Sequence, residues 1–239
     1  MRPSQVLYPR VIDMPTFSVV VPAAGVGSRM GAACPKQYLP LAGKFLIEHT
    51  LERLLDHPKV ERVIVAISAD DTFFATLAVA SHPRLQITAG GAERADSVLN
   101  GLALVTSEWV MVHDAARPCI THEDIDRLIR ECVHPDGAIL GSLVRDTMKR
   151  SDRAGFIQKT VDREQLWHAL TPQFFPTATL IKAISSARQQ GMVVTDEASA
   201  MEFAGFKPKM VEGRADNIKV TRPEDLALAA LYLQQQESL

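Results

Sequence analysis

The sequence has little of what marks several protein classes. Its 239 residues include only three cysteines and no Cys-x-x-Cys pair, which excludes a disulfide scaffold and is typical of free thiols in a reducing compartment. Aromatic residues make up 6% of the chain and are not interleaved with basic ones, so we expect no stacking platform for single-stranded nucleic acid. The 13 glycines and 14 prolines have no period, which excludes a collagen-like chain.

An excess of one charge and a long apolar run are also missing. Lys and Arg number 26 against 28 Asp and Glu, so the net charge of −2 provides no general field for nucleic acid or acidic lipid. The nearest approach to a membrane helix, residues 17–26, is broken by Pro22 and Gly25 and falls short of the ~18 to 20 residues required. We therefore expect a cytoplasmic protein with no nucleic-acid or membrane partner, in which a local cluster of cations holds any anion.

Hydrophobic residues make up 46% of the chain, enough for one large domain or two small ones. Short β-branched runs alternate with segments of helical periodicity, which is typical of a parallel sheet covered by helices. The predicted strands are 18–21, 62–67, 85–88, 109–112 and 138–144, and the predicted helices are 46–55, 71–80, 95–105 and a segment that begins at 121.

The alternation breaks after the fifth predicted strand. From residue 145 to 170, two polar alternating segments separated by a turn at 151–155 replace the expected helix, which indicates an antiparallel arm. Because so small an arm cannot bury a core of its own, we expect it to pack against a second subunit.

The C-terminal part of the chain is predicted to be regular secondary structure, whereas the N-terminal residues are not. After the arm, the sequence predicts helices at 176–191 and 196–204, a strand at 217–220, and a last helix with Thr221 as N-cap and Glu224 completing a capping box. The first 16 residues carry three prolines and no continuous apolar segment, so we expect a flexible tail, 1–16, before a single domain, 17–239. Translation could also begin at Met14, just before the first predicted strand.

A small-residue loop, Pro22 to Gly31, follows the first predicted strand and lets backbone N–H groups approach an anion closely. Neither a Walker A Gly-Lys-Ser/Thr nor a strand-ending acidic residue of the dinucleotide fingerprint accompanies it. Arg29 and Lys36 place two cations beside the loop. Together they favour a polyphosphate site over a plain tight turn with solvated charges.

Further candidate residues follow later predicted strands. Residues 90–97 form either a ligand-binding crevice loop or a strand-to-helix turn with a capping carboxylate. Asp114 could cap a helix, bind a metal or contact a substrate hydroxyl. His113 has no second ligand at zinc spacing, so we expect it in the core.

Lys219 is predicted on a strand among apolar positions, where an ammonium group needs a partner. The candidate partners are an anionic substrate and the nearby carboxylates of Asp216 and Glu224. No Gly-x-Ser-x-Gly elbow, His-Glu-x-x-His helix, calcium loop or Cys/His signature occurs, so we do not expect hydrolases of those kinds.

Seven motifs, in their order along the chain, resemble one enzyme family. They are Pro22-Ala-Ala-Gly-x-Gly-x-Arg-Met-Gly31, Pro35-Lys-Gln-Tyr38, Gly90-Gly-x-x-Arg-x-x-Ser97, His113-Asp-Ala-Ala-Arg-Pro118, Arg145-Asp-Thr-Met-Lys149, Asp196-Glu-Ala-Ser199 and Asn217-Ile-Lys-Val-Thr221. They resemble the bacterial 2-C-methyl-D-erythritol 4-phosphate cytidylyltransferases of the non-mevalonate isoprenoid pathway. The resemblance implies an α/β, Rossmann-like nucleotidyltransferase domain with a mostly parallel sheet, and a homodimer in which the protruding β-arm, about 145–170, reaches into the partner's active site.

The reaction implied by this resemblance joins CTP and 2-C-methyl-D-erythritol 4-phosphate, with Mg²⁺, to give 4-diphosphocytidyl-2-C-methyl-D-erythritol and pyrophosphate. A phosphate monoester with a second pKa of about 6 is mostly dianionic at pH 7, so its attack needs no general base. Charge builds on the α-phosphate oxygens, so Mg²⁺ and fixed cations should carry most of the rate.

The resemblance also implies roles for individual residues. The catalytic cations are Arg29, Lys36, Arg163 and Lys219. The substrate-binding residues are Ala23, Ala24, Gly25, Gly27, Gly90, Gly91, Ala92, Ser97, Asp114, Ala115, Arg117, Thr147 and Thr171. The small residues and Ser97 would hold cytidine, and Asp114 would contact the ribose or the metal, which the CTP phosphates largely hold. Thr147 and Arg163 of the partner subunit, with Arg117, Thr171 and Lys219, would bind the second phosphate and its hydroxyls.

Two positions depart from the family pattern. Ala92 stands where an Asp is often found, which matters for nucleotide affinity only if a carboxylate rather than the backbone makes the contact. Ser28 stands where an Arg can occur, which leaves Arg29 as the only arginine of the loop.

Three other functions stay open on the sequence. A ribitol 5-phosphate cytidylyltransferase would share the loop and the Lys36 motif, although residues 113–118 are more similar to the methylerythritol branch. A module that senses CTP without turnover would not need Arg29, Lys36 and Lys219 together. A nicotinamide oxidoreductase is the third, and a melting temperature raised by NAD(H) would identify it.

Overall fold

A seven-stranded sheet forms the centre of the computed structural model, which describes residues 16–25, 34–132 and 134–238. The strands are β1 (Phe17–Pro22), β2 (Pro40–Leu41), β3 (Lys44–Phe45), β4 (Val60–Ile67), β5 (Leu85–Ala89), β6 (Trp109–Val112), β7 (Ala138–Leu143), β8 (Met148–Ser151), β9 (Ile157–Val161), β10 (Trp167–Pro176) and β11 (Lys209–Glu212). The helices are α1 (Leu46–Asp56), α2 (Arg94–Leu102), α3 (His122–Glu131), α4 (Thr177–Gln189), α5 (Glu197–Phe203) and α6 (Pro223–Glu237). The predictions for Gly27, Ser28, Arg29, Met14 and the tail up to residue 15 lie outside the described residues.

The strand order in the sheet is β11-β7-β10-β6-β1-β4-β5. Neighbouring strands run parallel except at β10, which is antiparallel to both β6 and β7. The prediction of an α/β fold with a mostly parallel sheet is therefore confirmed.

The central strand β1 shows why this sheet is covered on both faces. Val19 and Val21 pack in a cluster with α1 and α3, whereas Val20, which points the other way, packs with α2, α4 and α5. Helix α2 lies close to the strand, because a Cβ on Gly101 would come within 2.5 Å of the Val20 side chain. These layers bury a continuous apolar run and bring the ends of the parallel strands to one edge.

The predicted helix at 71–80 is wrong. Two 3₁₀ turns, Phe74–Thr76 and Ala78–Ser81, take its place, separated by Leu77 in an extended conformation. Asp71 explains the local structure, because its carboxylate accepts the N–H groups of Phe73 and Phe74 and also the hydroxyl of Tyr38. A carboxylate that satisfies these donors favours a tight turn over a continuous helix.

The predicted strand at 217–220 is also wrong, and strands β10 and β11 were not predicted. Strand β11 is the edge strand beside β7, and residues 217–220 form a segment outside the sheet. Its carbonyl at Asn217 accepts from the Arg117 side chain, 2.7 Å away, and its N–H at Val220 donates to Ala116. Side-chain and loop partners thus satisfy this backbone in place of a strand.

An antiparallel hairpin, β8–β9, confirms the predicted arm in a shorter form. Asp152 closes its turn by accepting the N–H groups of Ala154 and Phe156, and Gly155 has a φ of +89°. Residues 167–170 do not belong to the arm, because β10 begins at Trp167 and pairs with β7 in the main sheet.

The cap of the last helix differs from the prediction by one residue. The carboxylate of Asp225, not that of Glu224, accepts the N–H groups of Thr221 and Arg222, and Arg222 is the N-cap. Glu224 instead points to Arg222, 3.9 Å away, with both side chains exposed. No helix in the described ranges is long and apolar enough to cross a membrane.

Candidate functional site

Two adjoining cavities lie at the carboxyl edge of the sheet. The first, of about 210 Å³, is formed by residues that follow β1, β5 and β6, together with Lys36 and Lys219. The second, of about 240 Å³, is formed by Arg117, residues of β10 and the segment before α5. Arg94, Asp114 and Lys219 line both cavities and so form the wall between them. Open α/β sheets bind ligands at this edge, and two ligands could meet here.

The first cavity has small-residue walls. Ala23, Ala24 and Gly25 follow β1 on one side, and Gly91 and Ala92 follow β5 on the other. The two loops nearly touch, since a Cβ on Gly90 would lie 2.2 Å from the Cβ of Ala24. Walls of residues with small or absent side chains would let backbone N–H groups come close to a ligand.

Ser97 holds the second of these loops in place. Its hydroxyl oxygen accepts the N–H of Gly91 at 3.1 Å, and the hydroxyl itself donates to the carbonyl of Glu93 at 3.4 Å. The side chain is buried and still borders the cavity. In this structure Ser97 therefore shapes the loop that a ligand would contact.

A 3₁₀ turn, Lys36–Tyr38, brings Lys36 to the first cavity. The buried amide of Gln37 donates to the carbonyl of Ala23 at 2.7 Å, which ties the turn to the end of β1. The hydroxyl of Tyr38 donates to Asp71 at 2.6 Å. These two hydrogen bonds fix Lys36 relative to the small-residue walls.

Asp114 is the centre of a charge cluster on the shared wall. Its Oδ1 accepts from Nε and Nη2 of Arg94, each at 3.2 Å, and its Oδ2 lies 2.8 Å from Nζ of Lys219. Burial raises the pKa of Asp114, but Arg94, Lys219 and Arg117 outweigh it and hold that pKa well below the usual range. Asp114 is therefore an anion at any physiological pH.

Arg94 reaches a second carboxylate, that of Glu197. Its Nη1 and Nη2 lie 2.7 and 3.1 Å from Oε1 and Oε2 of Glu197, whose side chain is only 1% exposed. Burial lowers the pKa of Arg94, but Glu197 and Asp114 together raise it above its ordinary value. The guanidinium is thus a fixed cation between two fixed anions.

His113 supports this cluster from the core. Because Thr171 Oγ1 accepts the Asp114 N–H at 3.0 Å, the hydroxyl can donate to His113 Nδ1 at 3.1 Å. Nε2–H of His113 then donates to the carbonyl of Arg117, 3.1 Å away. Burial lowers the pKa of His113 to about 4, so the imidazole is neutral and both its nitrogens have partners. The prediction that His113 lies in the core is confirmed.

Two buried polar atoms have no hydrogen-bond partner among the described residues, one in Arg117, which lines the second cavity, and one in Asn217, which is hydrogen-bonded to Thr171 of that cavity. Arg117 donates Nη1–H to the carbonyl of Asn217, but its buried Nε has no hydrogen-bond partner and lies 3.8 Å from Asp114 Oδ2. Asn217 donates its amide to the Thr171 carbonyl at 2.8 Å, while its Oδ1 is also unpartnered. Buried polar atoms of this kind are typical of a site that a ligand completes.

Most of the predicted site residues come together here. The residues that line the two cavities are Ala23, Ala24, Gly25, Lys36, Gly91, Ala92, Ser97, Asp114, Ala115, Arg117, Thr171 and Lys219, and Gly90 packs beneath Ala24. Thr147 and Arg163 line neither cavity within one chain. Both are exposed at the base of the arm, where Arg163 donates to the carbonyl of Arg145. Gly27 and Arg29 lie outside the described residues.

Three interactions at the site were not predicted: the ion pair of Lys219 with Asp114, and the two ion pairs of Arg94 with Asp114 and with Glu197. The partner of Lys219 is Asp114, whereas Asp216 pairs with Arg214 at 2.5 Å. The roles of Arg94 and Glu197 were also missed, although both residues belong to motifs noted in the sequence. A glutamate in the first turn of a helix has no local sign that it reaches a residue 103 positions away.

Metal ligands are scarce around the cavities. No group of three or more His, Cys, Asp and Glu side chains in the described part of the chain could hold a metal ion. Asp114 is the carboxylate common to both cavities, and both its oxygens already contact cations. A divalent cation here would take most of its ligands from a bound molecule.

Comparison with known proteins gives a consistent result. Residues 17–235 match the family described as 2-C-methyl-D-erythritol 4-phosphate cytidylyltransferase. A protein of that name from Aeromonas hydrophila is 65% identical over 224 residues, covering 94% of this chain and 92% of the relative. Another from Vibrio cholerae is 58% identical over 225 residues, covering 92% of this chain and 97% of the relative.

Solved structures of the same name share the fold. The enzyme from Francisella tularensis superimposes with a TM-score of 0.79 at 34% identity, covering 90% of this chain and 98% of that one. The enzyme from Thermus thermophilus superimposes with a TM-score of 0.78 at 30% identity, covering 92% and 99% of the two chains.

Proposed function

The chain belongs to the 2-C-methyl-D-erythritol 4-phosphate cytidylyltransferase family, and from this we infer that its two adjoining cavities are the active site. The protein is a Rossmann-like nucleotidyltransferase. It uses CTP to form 4-diphosphocytidyl-2-C-methyl-D-erythritol in isoprenoid precursor synthesis. The observation that carries the assignment of the site is the shared wall, where Lys219 and Asp114 face both cavities.

We propose that the first cavity binds CTP. Its walls of small residues suit a nucleotide held by backbone N–H groups, and Lys36 and Lys219 suit the charge of a triphosphate. Ala92 borders this cavity. Because an alanine has no carboxylate, any contact of a ligand with Ala92 is to its backbone or its methyl group. Gly27 and Arg29, which follow the same wall in sequence, are proposed as further contacts to the phosphates.

We propose that the second cavity binds the phosphate and hydroxyls of the methylerythritol. Arg117 and Thr171 line it, and Arg117 Nε is a buried donor without a hydrogen-bond partner. Lys219 faces the junction of the two cavities, so its ammonium would lie near the reacting phosphates.

The arm is proposed to complete this cavity in a homodimer. Phe156 and Ile157 near the arm's turn are 73% and 66% exposed in the isolated chain, which supports burial against a second copy. Thr147 and Arg163 of the partner subunit would then add a hydroxyl and a cation to the second cavity. The dimer would thus carry two composite sites.

The reaction is a direct displacement. A phosphate oxygen of the dianionic methylerythritol phosphate attacks the α-phosphorus of CTP, a P–O bond forms, and the bond to pyrophosphate breaks. No proton has to be removed, and among the described residues at the site neither His113 nor Asp114 is available as a base. His113 is neutral with both nitrogens hydrogen-bonded, and Asp114 is held by cations. Lys36 and Lys219 stabilise the charge that develops on the α-phosphate and on the leaving group.

We propose Mg²⁺ as the cofactor. One carboxylate already engaged by Arg94 and Lys219 is a poor protein cage for Mg²⁺, but it fits an ion held mainly by the phosphates of CTP. When bound, the ion would neutralise phosphate charge and orient the triphosphate. Asp114 would be the carboxylate of the shared wall available to such an ion.

The cellular setting is proposed from the cysteines. Cys34, Cys119 and Cys132 are all free thiols, and burial raises the pKa of Cys119 and of Cys132 to about 12. Unreactive, unpaired thiols fit a reducing cytoplasm. The organisation we propose is a flexible tail followed by one domain from residue 17 onward, with the arm as its dimerisation element.

The assay that tests the substrate is pyrophosphate release from CTP and Mg²⁺ with methylerythritol 4-phosphate and, in parallel, with ribitol 5-phosphate. We expect turnover with the methylerythritol phosphate and at least 100-fold less with the ribitol phosphate, a difference of about 3 kcal/mol in transition-state stabilisation. Turnover with ribitol 5-phosphate alone would assign the other substrate to the second cavity. CTP binding without turnover of either would indicate a sensor.

A further inference from the structure

Arg94 lies between two carboxylates, and each of its three guanidinium nitrogens contacts one or both of them. Two of its nitrogens contact Asp114 Oδ1 at 3.2 Å, and two contact the oxygens of Glu197 at 2.7 and 3.1 Å. Asp114 and Arg94 line both cavities, but Glu197 lines neither. Glu197 therefore has no route to a substrate except through Arg94.

Asp114 depends on this arrangement for its orientation. Arg94 holds Oδ1 and Lys219 holds Oδ2, so the two oxygens have different fixed partners. The backbone N–H of Asp114 donates to Thr171 on β10. If Arg94 moved, the carboxylate could turn toward Arg117, 3.8 Å from Oδ2, and the contact with Lys219 would change.

Glu197 is itself held by a rigid helix start. Asp196 caps α5 by accepting the Ser199 N–H at 2.9 Å, and Gln173 on β10 accepts the Ala198 N–H at 2.9 Å. The Gln173 amide also donates to Asp196 at 2.9 Å. Hydrogen bonds on both sides of Glu197 thus fix its carboxylate relative to the sheet.

The charges explain why a buried glutamate is useful at this point. A guanidinium beside a triphosphate would bind a phosphate oxygen, because charge-assisted bonds to phosphate are strong. Glu197 and Asp114 together occupy the fork of Arg94 and keep it on the wall. Without Glu197, Arg94 could turn into the first cavity and leave Asp114.

We propose that Glu197, acting through Arg94, is a positioning residue that fixes Asp114 and with it Lys219 at the wall where the two substrates meet. This inference rests on the proposed function of the two cavities. It predicts a loss of turnover with no weakening of CTP binding, since Glu197 lies outside both cavities. It also predicts that the effect of Glu197 disappears once Asp114 is altered.

The test is a double-mutant cycle of Glu197→Gln and Asp114→Asn, with kcat normalised to CTP sites counted by titration calorimetry. We expect Glu197→Gln to lower kcat about 10-fold, as loss of an outer-sphere partner does, without raising the KM for CTP. The double variant should be no slower than Asp114→Asn alone. Additive losses would overturn the inference, because a general structural defect adds to any other.

Glu48→Gln is the matched control. Glu48 is also a buried glutamate in the first turn of a helix, α1, where it accepts the Phe45 N–H at 3.0 Å, and it lines neither cavity. Its kcat should stay within about twofold of the wild-type value, and an equal loss in this control would overturn the inference.

Arg94→Lys is the second variant, used if Glu197→Gln does not fold. A lysine keeps the charge but cannot bridge both carboxylates, so kcat should again fall about 10-fold. A crystal structure of either variant with the Asp114 and Lys219 side chains unmoved would also overturn the inference. If the wild-type protein releases no pyrophosphate while these side chains do move, the proposed function fails and the positioning claim stands.

Discussion

At the scale of single residues, His113 shows how burial sets the chemistry of the site. Its pKa is lowered to about 4, because burial disfavours the imidazolium and outweighs the hydrogen bond to the Arg117 carbonyl, which raises the pKa. A neutral imidazole lets the Thr171 hydroxyl donate to it while that oxygen accepts the Asp114 N–H. Protonation would remove this acceptor and place a third cation beside Arg117 and Lys219.

The first prediction concerns acid stability. The folded protein binds fewer protons at His113 than the unfolded chain between pH 6.5 and 4, so stability rises with pH across this window and is complete above it. Over that range, His113 should cost the wild-type protein about 3 kcal/mol of unfolding free energy as the pH falls.

The measurement is urea denaturation from pH 4 to pH 7.5 for the wild type and His113→Asn. His57, whose pKa burial also lowers, is present in both proteins and cancels in the difference. The variant should lose less stability on acidification than the wild type. Parallel pH profiles for the two proteins would contradict the account of His113.

At the scale of elements, the start of α6 matters because it follows directly on Lys219. Asp225 accepts two backbone N–H groups and the Thr221 hydroxyl, which fixes the turn between Lys219 and the helix. Burial raises the pKa of Asp225, but these hydrogen bonds and Arg222 outweigh it and lower that pKa. The neighbouring Glu224 makes only an exposed contact with Arg222.

The second prediction compares these adjacent carboxylates. Asp225→Ala should reduce the free energy of unfolding by about 1 kcal/mol, as loss of a helix cap does. Glu224→Ala should change it by less than about 0.5 kcal/mol, because exposed ion pairs contribute little. Chemical denaturation of both variants gives the comparison, and equal losses would show that the cap is assigned to the wrong residue.

Local patterns in the sequence predict the elements whose neighbours are also local. The apolar runs of β1, β4 and β6 and the stripes of α1 and α3 identify buried structure directly. Strands β10 and β11 escape prediction because their places depend on pairing with β7 from elsewhere in the chain. The segment 217–220 was misassigned because its hydrogen-bond partners are the loop at Ala116 and Arg117 and the Thr171 carbonyl, which its local pattern does not indicate.

In the candidate site, too, some features can be predicted from the sequence and others depend on partners that lie far apart in the chain. Loops that follow β1, β5 and β6 could be expected to converge, because parallel strands end at one edge. The resemblance to a known family supplied the individual residues. Neither source predicts that Arg94 joins Asp114 to Glu197, because side-chain partners 20 and 103 positions away depend on the packing of α2 and α5.

At the scale of the whole molecule, the proposed active site contains residues of two chains. Thr147 and Arg163 lie at the base of an exposed arm and line neither cavity of their own chain. In the proposed homodimer, the loop of one chain and the arm of the other form each site. Light scattering should therefore give the mass of a dimer, and a monomer at micromolar concentration would contradict this arrangement.

The third prediction is complementation between defective subunits. Arg29→Ala and Arg163→Ala should each lower activity by about 100-fold or more, as loss of a cation at the reacting phosphates does. After subunit exchange, half the dimers contain one of each chain, and one site of such a dimer has both arginines. The mixture should recover about a quarter of wild-type activity if sites are shared in this way.

Native mass spectrometry of differently tagged subunits supplies the control, because it shows whether mixed dimers have formed. Mixed dimers without recovered activity would mean that each chain builds its site alone. Recovery without mixed dimers would mean that the variants are not individually defective.

The most direct test of the central claim links the reaction to the shared wall of the two cavities. It is pyrophosphate release from CTP and methylerythritol 4-phosphate by the wild type, by Lys219→Met, and by Lys182→Met as a control on the exposed side of α4. Removing the ammonium beside Asp114 should lower kcat by about 10² to 10³-fold, while the control should match the wild type. Full activity in Lys219→Met would contradict the claim, because the reaction would then take place without the ammonium group that lines both cavities.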